Sequence, residues 1–417
     1  MRSPRSPNGR VCLAALVACL LALPTWAVAL SLDEALELAE RQAPSLAAEA
    51  AGVEAARHAA IPAGELPDPK LRLGLQNVPI EGDERARLDR EPMTMQMVGF
   101  MQEVPNRAKR QARVDVAQAG LRRADAELEV ERLRVRRETA LAWISALAVE
   151  QKLALFASLY AENRLLAKAV QARIAGGRGQ AADSVAPKQE AALLAEQEDQ
   201  LLSTQARQRA TLRRWIGEAA ERTPQGRLPH WAVDARHYQD RLQRHPELSA
   251  FAPMTEEAEA RVREAVADKR PDWSWELGYQ RRGREFGDMV SLQLSVDLPL
   301  FPGSRQNPRI AARHAELSRV QAEREALERE HAAQLATDLA DYRRLHRAVQ
   351  RSQDSLLPLA TQKQALTLAG YRAGSGELGQ VLEARRELIE ARLRHIDLEE
   401  QRALTGARLY FAYGEAP

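Results

Sequence analysis

The stretch DWSWELGYQR, residues 272–281, decides how this chain is read. Trp273, Trp275, Leu277 and Tyr279 alternate with Ser274, Glu276, Gly278 and Gln280. A period of two marks a β-strand with one apolar face. Most of the remaining sequence is rich in Ala, Leu, Glu, Arg and Gln, and aromatic residues make up only 5% of the whole chain. That is the composition of long helices. A tryptophan-bearing strand inside a helical chain needs a reason.

Three further stretches alternate in the same way. In 70–77, Leu71, Leu73 and Leu75 oppose Lys70, Arg72 and Gln76. In 290–298, Val290, Leu292, Leu294, Val296 and Leu298 oppose Ser291, Gln293, Ser295 and Asp297. In 93–103, Met93, Met95, Met97 and Met101 read as the apolar face against Thr94, Gln96 and Gln102, with Phe100 interrupting the polar side. Strands are expected over about 69–78, 93–104, 272–281 and 289–298. Alternation over about ten residues, with aromatics for the interface, is the pattern of transmembrane β-strands. It makes Leu71, Leu73, Leu75, Trp273, Trp275, Leu277, Tyr279, Val290, Leu292, Leu294 and Val296 the lipid-facing set. A half-buried sheet on a soluble core is the competing reading. A spanning sheet leaves no open edge, and four strands cannot close a barrel, so the membrane reading requires further copies of the chain. The methionine row is read as lipid-facing. As a soft-metal site it would lack any accompanying His or Cys.

The N-terminus has the form of a removable leader over 1–29. Arg2, Arg5 and Arg10 precede an apolar run, and Ala27-Val28-Ala29 forms a small-x-small cleavage site. Leu16-Val17-Ala18-Cys19 offers a rival reading as a lipoprotein box with Cys19 lipid-modified. Loss of three arginines and no acids turns the net charge of +2 into −1. No basic surface for nucleic acid is indicated. Both cysteines, Cys12 and Cys19, leave with the leader, so disulfide and thiol chemistry are excluded from the mature chain. Past the leader, no apolar stretch approaches the roughly 20 residues of a transmembrane helix.

The chain repeats itself, with offsets of 194 to 204 residues. APSLAAEAA (43–51) parallels HPELSAFAP (245–253), and PDPKLRLGLQ (67–76) parallels PDWSWELGYQ (271–280). MQEVPNRAKRQ (101–111) parallels SVDLPLFPGSRQ (295–306), and IAGGRGQAADSV (174–185) parallels YRAGSGELGQVL (371–382). ATLRRWIG ending at Gly217 parallels ARLYFAYG ending at Gly414. The expected organisation is a first repeat over 30–217, a linker over 218–244 and a second repeat over 245–417. Each repeat contains two strands, a long helix (about 106–174 and 304–371) and a return helix (about 183–217 and 378–413). In the first long helix, Val114, Leu121, Leu128, Val135, Ala142, Val149 and Phe156 recur every seven residues. Asn163 breaks this series before Val170 resumes it. A heptad repeat specifies helices packed along their length. At 1.5 Å per residue such a helix is on the order of 100 Å long. Pro308 and Pro358 interrupt its counterpart.

With these features the chain resembles the TolC-like outer membrane factor family over essentially all of its mature length. The resemblance rests on the duplicated plan, the strand hairpins, and the turn Tyr371-Arg372-Ala373-Gly374 followed by Val381-Leu382-Glu383-Ala384. EVPNRAKRQAR (103–113) and PLFPGSRQ (299–306) are most similar to its cobalt–zinc–cadmium and copper–silver efflux branch. The resemblance implies a mainly α fold with a small β part, and a homotrimer closing a twelve-stranded barrel in outer-membrane lipid. It also implies a helical tunnel through the periplasm, docked to a periplasmic adaptor and an inner-membrane pump of the resistance–nodulation–division type. Drug efflux and type I protein secretion are alternative cargoes, and a soluble periplasmic coiled-coil or adaptor protein is the rival of a different class.

The resemblance places the two helix-to-helix turns, with Gly176, Gly177 and Gly179 and with Gly374 and Gly376, at the periplasmic tip. Asp183 suits a helix cap, and in a trimer it would also form an acidic ring. Gln380 and Glu383 match positions where relatives carry gate aspartates, so any gate here is less acidic. Arg173 and Arg372 suit pairing across neighbouring helices or simple solvation. No arrangement of residues suggests catalysis, a cofactor or a metal site. His230, His237 and His245 cluster only in the linker.

Overall fold

The computed structural model describes residues 29–414. All of the expected leader before Ala29, with Cys19, lies outside the described residues. Helices α1 (Leu32–Gln42) and α2 (Pro44–Ala60) precede strands β1 (Lys70–Gln76) and β2 (Met95–Val104), then helices α3 (Arg107–Ala175) and α4 (Ala186–Ile216). The order recurs as α5 (Ala235–Arg241), α6 (Pro246–Ser249), α7 (Phe251–Ala267), β3 (Trp273–Arg281), β4 (Met289–Val296), α8 (Gln306–Arg351), α9 (Leu357–Ala373) and α10 (Leu378–Tyr413). The fold is mainly helical, with one antiparallel sheet of order β1-β2-β3-β4.

Local sequence explains the helix limits. Ser31 caps α1 by accepting the Glu34 N–H at 3.2 Å, and Asp33 and Glu34 sit in its first turn, where acids favour the helix dipole. The 69-residue α3 contains no proline and a single glycine. The helix expected over 304–371 is two helices. A π-helical turn at Ser352–Leu356 separates α8 from α9, directly before Pro358. Proline has no N–H to donate to the preceding turn, and a widened turn accommodates the loss. Pro308 falls in the first turn of α8, where no N–H is needed.

Compactness divides the chain differently from the repeat. One unit comprises the chain up to Ala43, with Arg136–Ala232 and Ala340–Arg408. The other comprises Pro44–Val135, Val233–Leu339 and the chain from Leu409. In the first unit the heptad residues of α3 are core: Ala142, Val149, Phe156 and Val170 are all buried, and Asn163 is buried on the same stripe. The expectation that no apolar stretch approaches membrane-span length is corrected here. One 18-residue window of α3 passes that test by length and composition, and half of it is buried inside the structure. Its hydrophobicity serves helix packing: Trp143, Ile144, Leu147 and Ala148 are all core. Trp143 donates its indole N–H to the Leu30 carbonyl at 3.0 Å. Arg222 holds Glu34 through contacts of 2.7 and 2.8 Å, and this keeps the Glu34 carboxyl below its ordinary value.

In the second unit the sheet is rooted on α3. Asp272, just before β3, accepts the Asn106 backbone N–H at 2.7 Å, the Asn106 amide at 2.8 Å and Lys109 Nζ at 3.1 Å. Lys109 also reaches Asp268 at 2.8 Å.

Candidate functional site

Two regions hold the residues singled out by the sequence, and each lies within one unit. The first is the sheet. Its register pairs Leu71 with Phe100, Phe100 with Leu277, and Leu277 with Leu292. It likewise pairs Leu73 with Val98, Val98 with Tyr279, and Tyr279 with Val290. Trp275 pairs with Leu294, and Trp273 with Val296. One apolar face therefore runs across all four strands. It is largely exposed, with Leu292 at 68% and Leu73 at 72%. Trp275 is half-buried, its ring 5.8 Å from that of Phe100.

The methionine row lies on the other face, which corrects the assignment of β2. Met101 pairs with Lys70 and Glu276, and Met97 with Gly74 and Gln280. Phe100 and Val98 supply the apolar face instead. This second face is polar and internally bonded. Arg72 meets Glu276 at 2.8 Å and Met101 Sδ at 3.2 Å, while Gln280 donates to Ser291 at 2.6 Å. Gly278 leaves room for that last pair, because a Cβ there would stand 2.9 Å from both Gln280 Nε2 and Ser291 Oγ.

The second region is the helical end of the first unit. Gly177 (φ +69°) and Gly374 (φ +88°) end α3 and α9 in the left-handed conformation that glycine adopts without strain. Beside them, Gly176 and Gly179 complete the first turn and Gly376 the second. Arg173 ties the two turns together. Its guanidinium lies 4.1 Å from the centre of the Tyr371 ring and donates to the carbonyls of Tyr371 (2.9 Å), Gly376 (3.3 Å) and Arg178 (3.3 Å). Burial pushes the Tyr371 phenol up, Arg173 opposes that shift and Asp183 adds to it. Asp183 forms a capping box with Gln180, accepting the Gln180 N–H at 2.9 Å. Arg372, Gln380 and Glu383 are exposed.

Under the turns, Leu166, Val170, Tyr371, Leu378 and Val381 form an apolar cluster. Phe156, Leu159, Leu194 and Ile389 form another. A buried polar set accompanies these clusters, and sequence reasoning missed it. Arg385 donates to the Leu159 carbonyl at 2.7 Å and stands 3.6 Å from Glu190, while Asn163 donates to the Pro187 carbonyl at 2.9 Å. Arg385 Nε and Asn163 Oδ1 have no hydrogen-bond partner. Burial lowers the Arg385 pKa, with Glu190 pulling it the other way. The signals were the heptad break at Asn163 and an arginine at the helical spacing Val381, Arg385, Leu388.

His230 faces His346, with ring centres 6.2 Å apart, whereas His245 stacks on His331 at 4.1 Å.

Comparison with known proteins bears on the fold. Residues 237–415 match the family described as Outer membrane efflux protein. Protein CyaE of Bordetella pertussis is 28% identical over 204 residues, which span 47% of this chain and 42% of that protein. The chain thus matches less than half the length of this curated relative. The outer membrane protein VceC of Vibrio cholerae superposes with a TM-score of 0.76 at 19% identity, covering 92% of this chain and 96% of that one. The Neisseria gonorrhoeae MtrE outer membrane channel, solved in its open state, superposes with a TM-score of 0.73 at 16% identity, covering 92% and 88%. The fold is that of these outer membrane channel proteins.

Proposed function

We propose that the chain is one subunit of an outer-membrane exit duct, which passively conducts substrates delivered by an inner-membrane pump and a periplasmic adaptor. The observation that carries this reading is the sheet. It has one continuous exposed apolar face, one polar face, and edge strands β1 and β4 that pair on one side only. Unpaired edges are not tolerated in lipid, and three copies joined edge to edge give a closed barrel of twelve strands. The residues from Leu71 to Val296 on the apolar face then meet lipid, while Arg72, Glu276 and Gln280 line the lumen. Exposed Leu165, Leu193, Leu359 and Leu366 on the helices fit burial against neighbouring copies. The turns held by Arg173 form the periplasmic tip, with Gln380 and Glu383 as gate positions.

Heavy-metal cations are the proposed cargo, on the strength of the 103–113 and 299–306 segments. The test joins two measurements. The purified full-length chain should require detergent for extraction, migrate as a heat-sensitive trimer and give ion conductance in a planar bilayer. A chain soluble without detergent would refute the duct. Metal content of deletion cells, after zinc, cobalt, cadmium, copper or silver challenge, should rise for one or two metals and return on complementation. Unchanged metal content, with the trimer and conductance intact, would reassign the duct to drugs or a secreted protein.

A further inference from the structure

We infer that His245, Glu247 and His331 form a binding site for a divalent transition cation of the zinc class, separate from the proposed duct cargo. The three belong to the second unit. His245 precedes α6 and is 1% exposed, Glu247 follows in α6, and His331 lies on α8. One ligand atom from each lies within 4.8 Å of the others. Two imidazoles and a carboxylate are a donor set suited to zinc and its first-row neighbours, and three protein ligands leave a fourth position for water.

The hydrogen bonding around His331 points to a cation. Its Nε2 lies 3.1 Å from Glu247 Oε2. The Tyr413 hydroxyl lies 3.4 Å from His331 Nδ1 and 3.3 Å from the His331 carbonyl. The hydroxyl donates to the carbonyl, so in the tautomer that lets it also accept from Nδ1–H the lone pair of Nε2 is aimed at a carboxylate oxygen. In that tautomer two lone pairs held so close are bridged by a shared cation. A tetrahedral site with bonds of about 2.0–2.2 Å has ligand–ligand edges of about 3.3–3.6 Å, so the two atoms need to part by only a few tenths of an ångström to share an ion. Tyr413 then serves as the outer partner that fixes the tautomer and ring orientation of a metal-ligating histidine. His245 Nδ1 accepts the Glu247 N–H at 3.2 Å. Ligation through either nitrogen gives up this cap, since Nδ1 is then either metal-bound or protonated. Glu247 is the most exposed of the three side chains and gives the ion access from solvent.

The test uses the full chain purified in detergent, stripped with a chelator and dialysed against zinc. Elemental analysis should find about one zinc per chain, and calorimetry should give a saturable isotherm. Tyr413→Phe should weaken binding roughly 10–100-fold, and the double variant Glu247→Gln with His331→Asn should abolish it. His58→Asn, an exposed histidine of α2, should change nothing. Cobalt titration of the unaltered chain supplies a readout that needs no variant, because a site of this kind gives the intense visible bands of tetrahedral cobalt. Substoichiometric zinc, octahedral cobalt spectra alone, or full zinc retention by a normally folded double variant would each overturn the assignment. The shared cation would then be a proton.

Discussion

The sheet of the second unit and the helical end of the first put similar side chains in opposite environments, exposed in one and buried in the other. Leu292 in β4 is 68% exposed, whereas Val170 in α3 is 1% exposed. Polar groups reverse as well. On the sheet, Arg72 and Glu276 share a face that is not the apolar one, while Arg385 and Glu190 are enclosed among apolar side chains. Water enforces the second arrangement by the ordinary hydrophobic effect. It would penalise the first, since a contiguous apolar face of this extent is rarely left wet. On the proposed reading the two regions fold against different solvents, and each can be tested by placing a charge where the other keeps its leucines.

The largest effect is expected where a charge is already buried. Arg385→Ala leaves Glu190 without its counter-charge, a change that costs about 3–5 kcal/mol when both partners are enclosed. A thermal melt of the purified protein should show this as a strong loss. Arg385→Met combined with Glu190→Leu should recover most of it, because an apolar pair of similar volume removes the desolvation penalty. If the double variant is as unstable as the single one, the pair specifies geometry rather than charge balance.

Leu292→Arg probes the other side of the comparison. On a lipid-facing strand, arginine costs about 2–4 kcal/mol near the bilayer midplane. On a water-facing strand the same exchange usually stays within about 0.5 kcal/mol. Folding into lipid vesicles, followed by urea titration, separates these outcomes. A negligible effect would mean the apolar face is wet and would dissolve the contrast.

How far the sequence could be read follows the same division. The faces of β1, β3 and β4 were legible because their alternation is clean. In β2 it is not. Met95, Met97 and Met101 on one face and Val98 and Phe100 on the other are all apolar, so only the pairing of Phe100 with Leu71 and Leu277 decides which side faces out. Gly177 and Gly374 announced the turns, because left-handed helix ends favour glycine. Arg385 and Glu190 were illegible as a pair, since almost two hundred residues separate them along the chain. Asn163 showed only that something interrupts the heptads. The meeting of His245 with His331 had the same origin, and the linker histidines nearer in sequence were a distraction.

The root of the sheet joins helix to strand through charge, and its response to acid sharpens the contrast by showing which anchors are polar. Partial burial of Asp272 would raise its pKa, but the bonds from Asn106 and Lys109 outweigh that effect and hold the carboxyl below its ordinary value. A lowered folded pKa contributes stability that is fully present above the unfolded value of about 3.9 and disappears as pH falls through the folded value. Stability should therefore be level through neutral pH and decline in this acid window. Asp272→Asn keeps an acceptor for the Asn106 N–H while losing the ionic contact to Lys109. It should cost about 1–2 kcal/mol at neutral pH and flatten part of the acid decline. The comparison is made by melting both proteins between neutral pH and about pH 3. An unaltered acid profile in the variant would show that Asp272 anchors the sheet by its hydrogen bonds alone, and that the ionic contact with Lys109 adds nothing.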